Sequence, residues 1–249
     1  MTEVTKYEWD DATDGTEGEV GAAVPYLTIL QALSPAVQDE EEGAKPGELC
    51  LTSSGEIFKG ADGVCVQPCY VQTLFVEWAP RDAEGGLVAR HEPTSEFVRA
   101  AVSAHGQSWG KVPVPGSDNH LRETKYLYAL MEGEDGPEQI VISFSGSKIK
   151  KLREFLKRVK MLRGKPKLFQ LLVRVTTEKE KNDLGTFYNF NLDVERVLTN
   201  DKDADMIGEG YAFSKEVRDT DLALGSEASE RPMIEPPKAS KELADEIPF

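Results

Sequence analysis

Hydrophobic and polar positions alternate in short runs along most of this chain, and one stretch alone repeats with a clear helical period. Between Gly47 and Val88 the runs Glu48 to Thr52, Val64 to Gln67 and Tyr70 to Glu77 read as short strands. Ser53-Ser54-Gly55, Gly60-Ala61-Asp62-Gly63 and Gly85-Gly86 punctuate them, with the spacing of an antiparallel sheet or barrel. Lys125 to Met131 and Gln139 to Phe144 form a further pair of candidate strands, joined across Gly133-Glu134-Asp135-Gly136-Pro137. Ile149, Leu152, Leu156 and Val159, with Phe155 beside them, recur at helical spacing and predict a helix from Ser147 to Leu162, stopped by Gly164 and Pro166. Strands resume over Leu168 to Thr176 and Gly185 to Asn191, separated by the charged turn Glu178 to Asp183.

This pattern predicts a mainly β (α+β) fold: an OB-fold-like antiparallel barrel with one basic amphipathic helix, followed by a disordered acidic C-terminal tail. Small α+β folds of other kinds fit the same text. Ahead of the barrel, Pro25-Tyr26-Leu27-Thr28-Ile29-Leu30 suggests a short element that docks on the core. Residues 1–20 carry seven acids against Lys6 alone and read as an acidic flexible arm. Residues 21–213 form the folded domain with insertions. From Ser214 the text thins to charges, Ala, Ser and Pro, with Pro232, Pro236 and Pro237, so residues 214–249 read as the tail.

Charge changes the picture most. The 249 residues sum to −15, which counts against a nucleic-acid partner unless the charge is unevenly distributed. It is uneven. Lys148, Lys150, Lys151, Arg153, Lys157, Arg158, Lys160, Arg163, Lys165, Lys167 and Arg174 face one acid, Glu154, within a single stretch. That stretch carries +10, which leaves −25 for the rest of the chain. Cations over one helix surface can neutralise phosphates and release their counterions. They are equally a solvated helix face, a membrane-surface helix or a site for an acidic partner.

Aromatic residues sharpen this reading. Tyr126 and Tyr128 alternate on a candidate strand next to Lys125, Phe187 and Tyr188 lie near Phe190, and Phe169 sits inside the basic stretch. Exposed rings on which bases can stack suit single-stranded DNA, whereas buried rings are ordinary sheet core. Trp78-Ala79-Pro80-Arg81 before Gly85-Gly86, and Gly106-Gln107-Ser108-Trp109-Gly110-Lys111, each join an aromatic to a cation near glycines. A tryptophan plugging the barrel end fits them as well.

Thr186-Phe-Tyr-Asn-Phe-Asn191 resembles the final-strand text of phage single-stranded DNA-binding barrels. Asp245-Glu246-Ile247-Pro248-Phe249 nearly reproduces the Asp-Asp-Ile-Pro-Phe tip of bacterial single-stranded DNA-binding proteins, departing at Glu246. With the long barrel-like body, the chain as a whole resembles the phage replication single-stranded DNA-binding family. That resemblance implies an oligonucleotide-binding fold, a basic cleft and a tail that recruits phage polymerase and helicase-primase, or host repair proteins. Ile247, Pro248 and Phe249 would anchor in an apolar partner pocket, while Asp245 and Glu246 steer. The same tail could fold back on the basic groove and compete with DNA.

Other chemistry is set aside. Cys50, Cys65 and Cys69 with His91, His105 or His120 fit no common zinc spacing, so no metal and no cofactor is expected. The glycine-rich pieces lack the Lys-Ser/Thr of a phosphate loop, and no serine sits in a nucleophile elbow, so no enzyme activity is expected. Three cysteines, no amino-terminal signal pattern and no long apolar run predict a soluble protein of the reducing cytoplasm, the host's if the chain is phage-encoded. A homodimer is left open. The competing expectation is an acidic DNA mimic or interaction protein that binds a nucleic-acid enzyme without binding DNA.

Overall fold

The computed structural model describes residues 23–80, 86–108, 110–133, 136–182 and 185–220. In chain order the elements are β1 (Leu27–Ile29), α1 (Pro35–Gln38), β2 (Leu49–Leu51), β3 (Ile57–Phe58), β4 (Val64–Ala79), β5 (Gly86–His91), α2 (Glu96–His105), β6 (Val112–Pro113), β7 (His120–Gly133) and β8 (Gly136–Ser145). They continue with α3 (Lys148–Met161), a 3-10 turn at Leu168–Gln170, β9 (Leu171–Asn182), β10 (Gly185–Val197) and α4 (Ala204–Asp219).

β4 is the hub. Its residues 64–66 pair with β9 and its residues 66–78 pair with β7, both antiparallel. β7 continues to β8 and β9 to β10, so the main strands run β10-β9-β4-β7-β8, with α3 connecting β8 to β9. The arrangement is mainly β and antiparallel throughout. The runs Val64 to Gln67 and Tyr70 to Glu77, read as two strands in the sequence, lie on either side of Pro68. The chain instead keeps one strand and places a bulge between Pro68 and Tyr70, where an imino acid lacking an N–H is tolerated.

No ladder joins β8 to β10 among the described residues, so the barrel stays open at that seam. The docking segment foreseen at Pro25 to Leu30 fills it. Val141 of β8 donates its N–H to the Pro25 carbonyl at 2.8 Å. The Gln31 carboxamide bonds the Tyr188 backbone on both sides, donating to its carbonyl at 2.9 Å and accepting from its N–H at 3.0 Å. β1, β2 and β3 form a small sheet that contributes Leu27, Ile29, Leu49 and Leu51 to the interior. There they meet Ile142 and Phe144 of β8, Val173 and Val175 of β9, and Phe190 of β10.

α3 closes one end of this core with Ile149, Leu152, Phe155 and Val159, all buried. Its observed ends agree with the predicted helix to within one residue. Beyond it, Gly164 (φ 83°) and Lys165 (φ 47°) both adopt left-handed backbone, the conformation that turns the chain toward β9.

Two further layers were not foreseen. α2 and β6 lie between β4 and β7 in the chain, and α2 packs Val98 and Ala101 on Phe75 and Leu121. α4 runs to Asp219, past the Ser214 boundary set by composition, and buries Phe213 and Val217 on the outer face of β4 and β7. Its Gly210 lies against the Gln67 carboxamide, which donates to the carbonyls of Phe169 and Met206 at 2.7 Å each. The 3-10 turn and α4 are thereby tied to β4. Among the described residues, no helix is long and apolar enough to cross a membrane.

Candidate nucleic-acid interface

Because the apolar face of α3 is committed to the core, its cations project outward, but they are not equivalent. Lys151 bridges Glu180 at 2.8 Å and also bonds Glu178, both on β9. Arg158 pairs with Asp193 at 3.0 Å and bonds the Leu192 carbonyl. Arg153 reaches Glu123 at 3.4 Å, and Arg174 pairs with Glu195. Lys150 stands 4.0 Å from Glu154 and is largely exposed. Lys148 lies over the Phe190 ring at 5.3 Å, a cation–π contact that holds the helix start to β10.

Lys157, Lys160, Arg163, Lys165 and Lys167 are different. All five are exposed and have no carboxylate partner within ion-pair distance among the described residues. They follow one another from the outer face of α3 through the turn that leads to β9. Cations at a helix C-terminus also complement the partial negative charge there, so Lys160 carries a structural role in addition. The +10 segment thus resolves into a neutralised flank facing the strands and a cationic edge of five side chains.

The aromatic candidates divide in the same way. Tyr126 is 1% and Tyr128 2% exposed. Both lie on the outer face of β7, beneath Val24, Tyr26 and α4, so neither presents a face to a base. This corrects their assignment as stacking residues: the alternation correctly put them on one face, but that face is covered. The Tyr128 hydroxyl donates to Gln72 at 2.9 Å, and its ring meets Phe213 edge-on at 6.3 Å. Lys125 is likewise occupied, donating to Thr73 at 2.8 Å and pairing with Glu123 at 3.1 Å. Tyr188 is partly buried against the barrel core and Phe187 beside it is half-buried. Phe169 remains partly exposed and stands edge-on to Tyr211 of α4, with ring centroids 5.6 Å apart.

Tyr211, 53% exposed, is the aromatic that sequence reading missed. Its signal was its spacing from Lys215 and Arg218, which puts all three on one flank of a helix. A groove of roughly 450 Å³ also opens between α2 and α3, lined by Arg99, Arg153, Glu123, Thr73 and Phe75 among others.

Burial pushes the Cys69 thiol up to about 12. Cys65 is raised to about 11, chiefly by desolvation and then by the hydrogen bond it donates to Glu195 at 2.9 Å. Cys50 is half-buried in β2 and also raised, first by burial and then by the charge of Glu41. Thiols held this high are poor nucleophiles. Trp78 packs partly against the outer-face cluster. Arg81, Trp109, residues 1–20 and the segment Asp245-Glu246-Ile247-Pro248-Phe249 lie outside the described residues.

Comparison with curated proteins finds no match, and comparison with solved structures finds none. A family model does match over residues 2–222, nearly the whole length, and its description is a Pam3 phage gp34-like protein. The chain therefore belongs to the Pam3 phage gp34-like proteins.

Proposed function

We propose that this chain is a non-catalytic single-stranded DNA-binding protein that coats and protects single strands during phage DNA replication and recombination. The observation that carries the reading is the cationic edge. In a protein of net charge −15, Lys157, Lys160, Arg163, Lys165 and Lys167 stand together, exposed and without carboxylate partners among the described residues. An isolated cluster of this kind attracts a polyanion locally while the rest of the surface repels it, which restricts a strand to one path. Phe169 and Tyr211 adjoin the edge and offer stacking surface. The segment Asp245 to Phe249 recruits polymerase, helicase-primase or host repair proteins, its acids steering and its apolar residues anchoring.

One observation favours a second reading. Lys151, Arg153, Arg158 and Arg174 are neutralised internally, as in a protein whose acidic surface mimics DNA and binds a nucleic-acid enzyme. Titration of labelled single-stranded and duplex oligonucleotides across ionic strengths separates the two. Salt-sensitive binding to single strands with weak duplex binding supports the proposal. Equal affinity for both forms, or none for either, overturns it.

A further inference from the structure

α4 is divided by charge along its length. Its buried line is Gly210, Phe213 and Val217. With about 100° between successive residues, Tyr211, Lys215 and Arg218 fall on one flank of that line, while Asp205, Glu209 and Glu216 fall on the other; Asp219, at the helix end, stands beside the cations and pairs with Arg218. The acidic flank faces the barrel: Gln139 of β8 donates to Glu216 at 3.3 Å. The opposite flank faces the 3-10 turn, where Tyr211 meets Phe169.

The placement of this second flank gives it a use. Lys165 and Lys167, the last members of the cationic edge, lie four and two residues before Phe169 in the chain. Arg218 lies close enough to Tyr211 and to Tyr70 of β4 to feel both electrostatically, and it pairs with Asp219 at 2.9 Å. Lys215 is exposed and makes no ion pair among the described residues. Two cations, Lys165 and Lys167, thus lead in the chain to the ring pair Phe169–Tyr211, and two more, Lys215 and Arg218, follow Tyr211 along its helix. A buried helix face needs no exposed tyrosine on its margin.

We propose that this flank of α4 is a binding track for the unstacked bases of a single strand, with Tyr211 stacking a base on its exposed face and Lys215 holding a neighbouring phosphate. The assignment rests on the single-strand reading above. It adds a site outside the barrel, in a helix that composition alone would have given partly to the tail. Unpaired bases expose the ring faces that Tyr211 needs, whereas duplex bases are already stacked on one another.

The test compares the full chain with Tyr211→Ala, Tyr211→Phe and Lys215→Gln on a labelled strand of about thirty thymidines and on an abasic strand of equal length. Tyr211→Ala should weaken thymidine binding roughly 5- to 100-fold, with Tyr211→Phe near the parent. On the abasic strand Tyr211→Ala and the parent should bind equally. Lys215→Gln should weaken both strands and lower the salt slope by about 0.7. Unchanged thymidine binding by Tyr211→Ala, or an equal loss on the abasic strand, overturns the track while leaving the single-strand reading in place. A parent chain that binds neither strand overturns both. Tyr211 and Lys215 are exposed, so equal melting temperatures for all variants are the internal control.

Discussion

Phe144 of β8 and Phe190 of β10 face each other across the seam that no backbone ladder closes, their ring centroids 5.3 Å apart. Both are essentially fully buried. Where strands do not exchange hydrogen bonds, side-chain packing must hold them, and this pair does so together with Leu27 and Ile29 of β1. Phe190→Ala should cost about 3–5 kcal/mol, the range for emptying a large aromatic site in a core. Urea unfolding measures it, and a loss below about 1 kcal/mol would mean that the seam collapses freely or is held elsewhere.

Gln67 fastens α4. Replacing it with Met removes the two hydrogen bonds that tie the Phe169 and Met206 carbonyls to β4, at about 0.5–1.5 kcal/mol for each bond lost. Gly210→Ala acts on the same joint, because the added Cβ would overlap the Gln67 carboxamide. Both variants should speed hydrogen exchange in α4 more than in β7 or β9. Uniform acceleration through the sheet would show that α4 and the barrel unfold together.

Lys151 should shape the acid limb of the stability curve. Its hydrogen bond to Glu180 is the main cause holding that carboxyl below its ordinary 4.5. A depressed carboxylate contributes stability that is full above its unfolded pKa and lost as pH falls through the lower folded value. Lys151 itself is raised by Glu178 and Glu180, so its contribution persists below its ordinary 10.5 and fades only in stronger base. The melting-temperature gap between the parent and Lys151→Met should be level from about pH 6 to 9 and shrink below about pH 4.5. A gap that does not vary with pH would remove the ion pair from the account.

The main strands and α3 were legible because their signals are local. Ile149, Leu152, Phe155 and Val159 repeat at the helical period, and Gly164 and Pro166 end the pattern, so α3 could be bounded from the text. α4 could not, since its buried line runs through Gly210 and Gly208 precedes it, and glycine carries no hydrophobic signal. What covers Tyr126 and Tyr128 was equally invisible: Phe213 and Tyr26 come from parts of the chain far from β7. The eleven cations could be counted from the text, but which of them are free depends on acids delivered by β7, β9 and β10, as with Glu123, Glu178, Glu180, Asp193 and Glu195. Distribution of charge was thus readable, while neutralisation was a property of the fold.

Single-strand binding is proposed to run through Lys157, Lys160, Arg163, Lys165 and Lys167, which have no ion-pair partner among the described residues. It is tested most directly by plotting log affinity against log salt for the parent and for a variant with all five changed to Gln. Weaker binding and a shallower slope are expected, by roughly 0.7 for each phosphate contact removed. A five-fold substituted chain that keeps the parent's affinity and slope would contradict it.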